Sequence, residues 1–98
     1  MNYYFEEIEI AFADVIDTPR LSVLRVLWDA GETLLVVEII SDFLADEQVW
    51  IDLEKATLLV EISRSVESEI IPKRLQFILE QSGLVFDETR APAPKPGI

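Results

Sequence analysis

Apolar residues recur along most of this chain at three- and four-residue intervals, the spacing of helices that bury one face. The first such segment runs from residue 2 to about residue 16 and carries one apolar stripe, made of Phe5, Ile8, Phe12 and Val15. The local run Ile8-Glu9-Ile10-Ala11-Phe12 also fits a strand. The pattern therefore favours a first helix but leaves a strand open for this segment.

The second helix has clear signals at both ends. Thr18 suits the N-cap and Pro19 suits the first helical position, where its missing N–H costs nothing. Gly31 is the residue expected to end the helix in the left-handed conformation. Its predicted inward residues are Leu21, Leu24, Leu27 and Trp28.

A third helix is predicted from about residue 32 to residue 45. Its apolar face is expected to comprise Val36, Ile39, Ile40, Phe43 and Leu44. The other face carries Glu38 and Asp42 one turn apart, an arrangement that costs an isolated helix about 0.2–0.5 kcal/mol through repulsion. Local helix stability therefore does not explain why these two acids are there.

The second half of the chain predicts two more helices and a tail. Asp52 is expected to cap a fourth helix that reaches about residue 69, with Leu59, Ile62, Ser63 and Val66 facing inward. Pro72 opens a fifth helix, which carries Leu75, Ile78 and Leu79 and stops at residues 82–83, and residues 84–86 are expected to fold back onto the core. We predict an all-α fold: a compact bundle of four to five short helices over residues 1–86, with a flexible, proline-rich tail over residues 87–98.

Composition narrows the function classes. The 98 residues contain no histidine and no cysteine, which removes disulfides, thiol nucleophiles and His-dependent proton transfer, and makes zinc sites and catalysis poor first hypotheses. No apolar run approaches the roughly 18 residues of a membrane span, and no signal peptide is visible. We therefore expect a cytoplasmic protein that is not an enzyme and needs no cofactor.

The net charge of the chain constrains its possible binding partners most strongly. Eight Lys and Arg against 19 Asp and Glu give a net charge of −11, and residues 26–54 hold eight acids and no base. Such a chain repels nucleic acid and anionic membranes at long range and attracts basic protein surfaces. The alternative is an acidic face that serves only solubility. A binding role requires that these carboxylates share one surface and are not neutralised by the chain's own Lys and Arg.

Two kinds of candidate site stand out. Glu38, Asp42 and Asp46 form a row of carboxylates, but they match no EF-hand spacing, so we predict no metal site. Trp28 lies on the apolar stripe of its helix and is assigned to the core. Trp50 follows the third helix between acidic residues, and tryptophan is a frequent anchor of protein–protein interfaces. It could equally close the end of the core.

Residues 31–52 combine a Gly-Glu pair, a helix with further acidic and aliphatic positions, and a short link that ends in a capping residue. The positions concerned are Gly31, Glu32, Glu38, Ile40, Asp42, Leu44, Val49, Ile51 and Asp52. This pattern resembles the MafI-type small helical immunity proteins, which protect bacteria from their own polymorphic toxins. The resemblance implies a cognate partner: the toxic C-terminal domain of a secreted effector, often a nuclease.

The acidic composition is compatible with that implication, because a nuclease presents Lys and Arg to phosphates. We therefore predict a non-catalytic inhibitor whose acidic face spans the third helix and the following link. The predicted toxin-binding residues are Glu38, Asp42, Asp46, Glu47, Trp50, Asp52 and Glu54. Two alternatives stay open: a helical adaptor, secretion chaperone or self-associating module with an exposed apolar patch, and a nucleic-acid mimic that blocks a basic binding protein.

Overall fold

The computed structural model describes residues 3–65, 71–85 and 93–94. Within these residues the chain forms five helices and two short strands. The helices are α1 (Phe5–Phe12), α2 (Thr18–Asp29), α3 (Thr33–Asp46), α4 (Leu53–Ser65) and α5 (Lys73–Gln81), and the strands are β1 (Leu84–Val85) and β2 (Ala93–Pro94). The predicted all-α bundle is confirmed. None of the described helices has the length and apolar content needed to cross a membrane.

Helix α3 lies at the centre of the bundle. It packs against α2, α4 and α5, while α1 packs against α2 and α4. The core between them is aliphatic and aromatic, and its largest fully buried side chains include Phe5, Ile8, Phe12, Ile40, Leu44, Leu59, Ile62, Leu75, Ile78 and Leu79. The first segment is thus a helix, shorter than predicted, and three of its four predicted stripe residues are buried.

The turn between α2 and α3 is closed as the sequence predicts. Gly31 has a φ of 84° and donates its N–H to the carbonyl of Trp28 at 3.0 Å, and Glu32 donates to the carbonyl of Leu27 at 2.9 Å. This pair of bonds is the Schellman motif. At its other end, α2 begins at Thr18 and Asp17 takes the N-cap position that we predicted for Thr18.

Helix α3 ends in the same motif without a glycine. Gln48 has a φ of 53° and donates to Ala45 O at 3.2 Å, and Val49 donates to Leu44 O at 2.9 Å. A side chain in this left-handed conformation costs about 1–2 kcal/mol. The chain accepts that cost where it turns from α3 into the link that carries Trp50.

The buried face of α3 differs from the predicted one. Ile39 is exposed and Phe43 is only half-buried, whereas Val37, Ser41 and Ala45 are buried. The prediction assumed one apolar stripe, but a helix with three neighbours must bury more of its circumference. Ser41 tolerates burial because its hydroxyl donates to the carbonyl of Val37 at 2.8 Å.

The C-terminal part of the described chain returns to the bundle. Leu84 is buried, and β1 pairs with β2 in antiparallel register, Leu84 opposite Pro94 and Val85 opposite Ala93. Much of the predicted flexible tail (residues 87–92 and 95–98), the predicted continuation of α4 over residues 66–69 and residue 86 of the predicted fold-back lie outside the described residues.

Candidate partner-binding surface

Two large aromatic side chains meet on the outside of the bundle. Trp50, in the link after α3, is 44% exposed, and Phe77 of α5 is 42% exposed. Their ring centroids are 6.4 Å apart at an interplanar angle of 74°, an edge-to-face contact. Trp50 therefore does not close the end of the core, which was the alternative left open for it.

Asp42 and Asp46 lie one turn apart on α3 and share a cation from α5. The Nε atom of Arg74 is 3.3 Å from Oδ1 of Asp42, and its Nη2 atom is 3.9 Å from Oδ1 of Asp46. All three side chains are more than half exposed, so these ion pairs contribute little to stability. Arg74 nevertheless cancels one of the two negative charges.

These two features adjoin. Arg74 and Phe77 are three positions apart on α5 and are therefore neighbours on one helix face. Asp42 and Asp46 contact Arg74, and Phe77 contacts Trp50. We call the patch that these five residues form the α3–α5 surface. Glu38 continues the acidic row of α3 by one turn and is exposed.

Asp52 has a structural role. Its Oδ1 accepts a hydrogen bond from the backbone N–H of Lys55 at 2.9 Å, and this bond lowers the pKa of the carboxyl group. The Nζ atom of Lys55 lies 3.5 Å from a carboxylate oxygen of Asp52 and 3.5 Å from one of Asp14. Asp52 therefore caps α4, as predicted, and is also paired with a cation.

The other predicted acids face elsewhere. Glu54 lines a groove between α1 and α4. Glu47, the C-cap of α3, is close enough to Arg20 of α2 to raise its pKa, although Asp17 is the main cause of that shift. The structure therefore brings Asp42, Asp46 and Trp50 together and separates Glu54 from them. Both conditions set for a binding role of the acids therefore fail in part: Glu54 lies on another face, and Asp42, Asp46 and Asp52 are paired with Arg74 or Lys55. The acidic row cannot carry a binding role by itself.

The acids of the N-terminal segment are largely paired as well. Arg25 of α2 contacts both Glu6, at 3.1 Å, and Glu9, and lies over the ring of Phe5 with its guanidinium carbon 5.2 Å from the ring centroid. A backbone hydrogen bond and the bond from Arg25 lower the pKa of Glu6. These contacts fasten α1 to α2.

Sequence reasoning missed Phe77 and Arg74. A signal for Phe77 was present, because it lies off the apolar stripe that Leu75, Ile78 and Leu79 form on α5. An aromatic residue on the polar face of a helix is a candidate for an interface. Arg74 carried no such signal, since its partners lie on another helix.

Within the described part of the chain, no three carboxylates are grouped so that they could hold a metal ion. The α3–α5 surface presents two exposed aromatic rings beside a net negative rim. No family model matches the chain, and no curated protein or solved structure is significantly similar to it.

Proposed function

We propose that this protein is an immunity protein of the MafI type, which acts in the cytoplasm as a non-catalytic inhibitor. It binds the toxic C-terminal domain of a cognate secreted toxin, a domain with a basic surface such as a nuclease. The observation that carries the proposal is the exposed Trp50–Phe77 pair beside the acidic row of α3.

The aromatic pair supplies the affinity. Interface energy is concentrated in a few residues, tryptophan prominent among them, that become desolvated in a partner's pocket. Trp50 and Phe77 hold each other in one geometry, so less side-chain freedom is lost when a partner covers them.

The carboxylates supply rate and selectivity. Glu38, Asp42 and Asp46 remain net negative after their contact with Arg74, and the whole chain has a charge of −11. Charge complementarity of this kind mainly accelerates association and excludes acidic partners. A toxin that binds phosphate presents the opposite charge.

The test is co-expression with any toxin gene found adjacent to this one, read out as protection of the cells and as the affinity of the purified pair. Trp50→Ala combined with Phe77→Ala should abolish protection and weaken binding by at least about 30-fold, the effect of losing one hot spot of ~2 kcal/mol. The matched control is Val23→Ala with Val26→Ala, which trims two exposed apolar side chains of α2. Binding that survives the aromatic variant contradicts the proposal.

A charge test uses a second matched pair. Asp42→Asn with Asp46→Asn removes two carboxylates that share one arginine, and Glu6→Gln with Glu9→Gln does the same around Arg25. The first variant should slow association with the toxin several-fold at low salt. If both variants slow association equally, overall charge rather than the α3–α5 surface guides the encounter.

One observation favours the adaptor or chaperone alternative. An apolar groove of about 340 Å³ lies between α2 and α3, with Leu24 and Ile40 in its lining and Val23 and Ile39 exposed at its edge. Exposed apolar surface of this kind is typical of sites that bind other proteins. The alternative predicts the reverse outcome, in which the Val23/Val26 variant loses its partner and the Trp50/Phe77 variant keeps it.

A further inference from the structure

A second groove, of about 390 Å³, lies between α1 and α4. Apolar side chains and carboxylates both line it: Ile10, Ala11 and Leu58, with Glu7, Glu54 and Glu61. Ile10 is 81% exposed, the largest value among the bulky apolar residues of the described chain. Helix α5 contributes nothing to this lining, so the groove is distinct from the α3–α5 surface.

The groove lining is acidic. It contains three carboxylates and no Lys or Arg, and within the described residues no Lys or Arg nitrogen lies within 4 Å of the carboxylates of Glu7 and Glu54. The other acids of residues 3–17 each contact a cation of the chain, which is Arg20, Arg25 or Lys55. These acids are Glu6, Glu9, Asp14 and Asp17. Carboxylates along one groove repel one another, and a cation from outside relieves that repulsion.

Hydrogen bonds hold two of these carboxylates in place. The hydroxyl of Tyr3 donates to Oε2 of Glu61 at 2.7 Å, and the backbone N–H of Tyr4 donates to Oε2 of Glu7 at 3.1 Å. The bond to Glu61 also raises the pKa of Tyr3 to about 12. Carboxylates that are already oriented lose less conformational freedom on binding.

We propose that the groove between α1 and α4 docks a basic amphipathic segment of a partner protein. Aliphatic side chains of that segment cover Ile10 and Leu58, and its Lys or Arg side chains lie beside Glu7, Glu54 and Glu61. A second copy of this chain is a poor occupant because it carries the same charge of −11. The proposal does not rest on the proposed function, since it concerns other helices.

The test titrates the full-length protein with a synthetic helical peptide of leucine and lysine, followed by NMR. The lysine peptide should shift the amide signals of Ile10 and Leu58, and the same peptide with glutamate in place of lysine should not. Glu54→Gln with Glu61→Gln should weaken binding about tenfold, as expected for two exposed ion pairs. The control, Glu32→Gln with Glu80→Gln, changes the net charge equally at two exposed positions outside the groove and should weaken binding by less than about twofold.

Ile10→Lys provides an independent variant. The exposed side chain of Ile10 can change without disturbing the core, and the new positive charge should prevent the peptide from binding. Equal weakening by the two glutamine variants would overturn the proposal, because binding would then follow overall charge. Peptide-induced shifts confined to Trp50 and Phe77 would also overturn it. Sedimentation experiments give a third outcome that would overturn it. If the protein self-associates and Ile10→Lys abolishes that self-association, the occupant of the groove is a second copy of the chain.

Discussion

The guanidinium group of Arg74 lies 3.3 Å from the carboxylate of Asp42, so a cation of α5 contacts the row of acidic residues on α3. If that row attracts a basic partner, Arg74 weakens the attraction. If the proposed toxin is the partner, we expect Arg74→Ala to accelerate association with it and to make the rate fall more steeply as salt rises. Stopped-flow measurements over a range of ionic strengths check this.

The matched control for that experiment is Arg25→Ala, which removes the same charge and releases two other carboxylates, Glu6 and Glu9. It should change the association rate less, because α1 is not part of the α3–α5 surface. Slower association of the Arg74 variant would mean that Arg74 itself contacts the partner.

The left-handed backbone at Gln48 predicts a stabilising substitution. Gln48→Gly should raise the free energy of unfolding by about 1 kcal/mol, because glycine adopts a φ of 53° without the steric cost that a side chain incurs. Thermal or denaturant unfolding measures the change. Gln81→Gly is the control: Gln81 is the last residue of α5, and glycine there should destabilise. A destabilised Gln48 variant would contradict this account of the turn.

The cap at Asp52 predicts a pH-dependent contribution to stability. Asp52→Ala should cost about 1 kcal/mol at neutral pH, and Asp52→Asn less, because asparagine also caps helices. The bond from Lys55 lowers the pKa of Asp52 below its ordinary value of 3.8 in the folded state. The stabilisation by the charged form is therefore complete above pH 3.8 and is lost as the pH falls through the folded-state value.

Unfolding experiments at a series of acidic pH values test that dependence. The stability difference between the native chain and Asp52→Asn should shrink as Asp52 becomes protonated. A difference that stays constant down to the lowest pH would show that the charge of Asp52 contributes nothing.

The hydrogen bond from Tyr3 to Glu61 predicts an unusual titration. Tyr3 should ionise at a pKa of about 12, and Glu61→Gln should return this value toward 10.0, since both the bond and the negative charge are altered. Because the pKa of Tyr3 is higher in the folded than in the unfolded state, the protonated ring stabilises the fold fully below pH 10.0. This contribution is lost as the pH rises through about 12. NMR titration of the Tyr3 ring measures it, with Glu38→Gln as a control that should leave it unchanged.

Local signals in the sequence predicted much of the fold. Gly31 and Asp52 mark helix ends through the conformation or hydrogen bond of a single residue, so neighbouring residues suffice to predict them. Helix α3 was harder, because which residues it buries depends on the three helices around it. Ser41 is buried for that reason, although it is not among the residues predicted for the apolar face.

The candidate surface depended on pairs that only the fold creates. Trp50 was recognised from its position among acidic residues, but its contact with Phe77 joins segments far apart in the chain. Charge counts along the sequence likewise placed the unbalanced acids in residues 26–54, and the fold brings Arg74 of α5 to two of them, Asp42 and Asp46. Local counting cannot detect such pairings.

The central place of α3 has a consequence for how the molecule opens. Because α3 packs against α2, α4 and α5, its backbone amides are released only when most of the bundle comes apart. Hydrogen exchange should accordingly be slowest at Ile40 and Leu44, with protection close to that of global unfolding. Helix α1 packs extensively only against α2 and α4. Its amides can therefore exchange through smaller, more frequent openings.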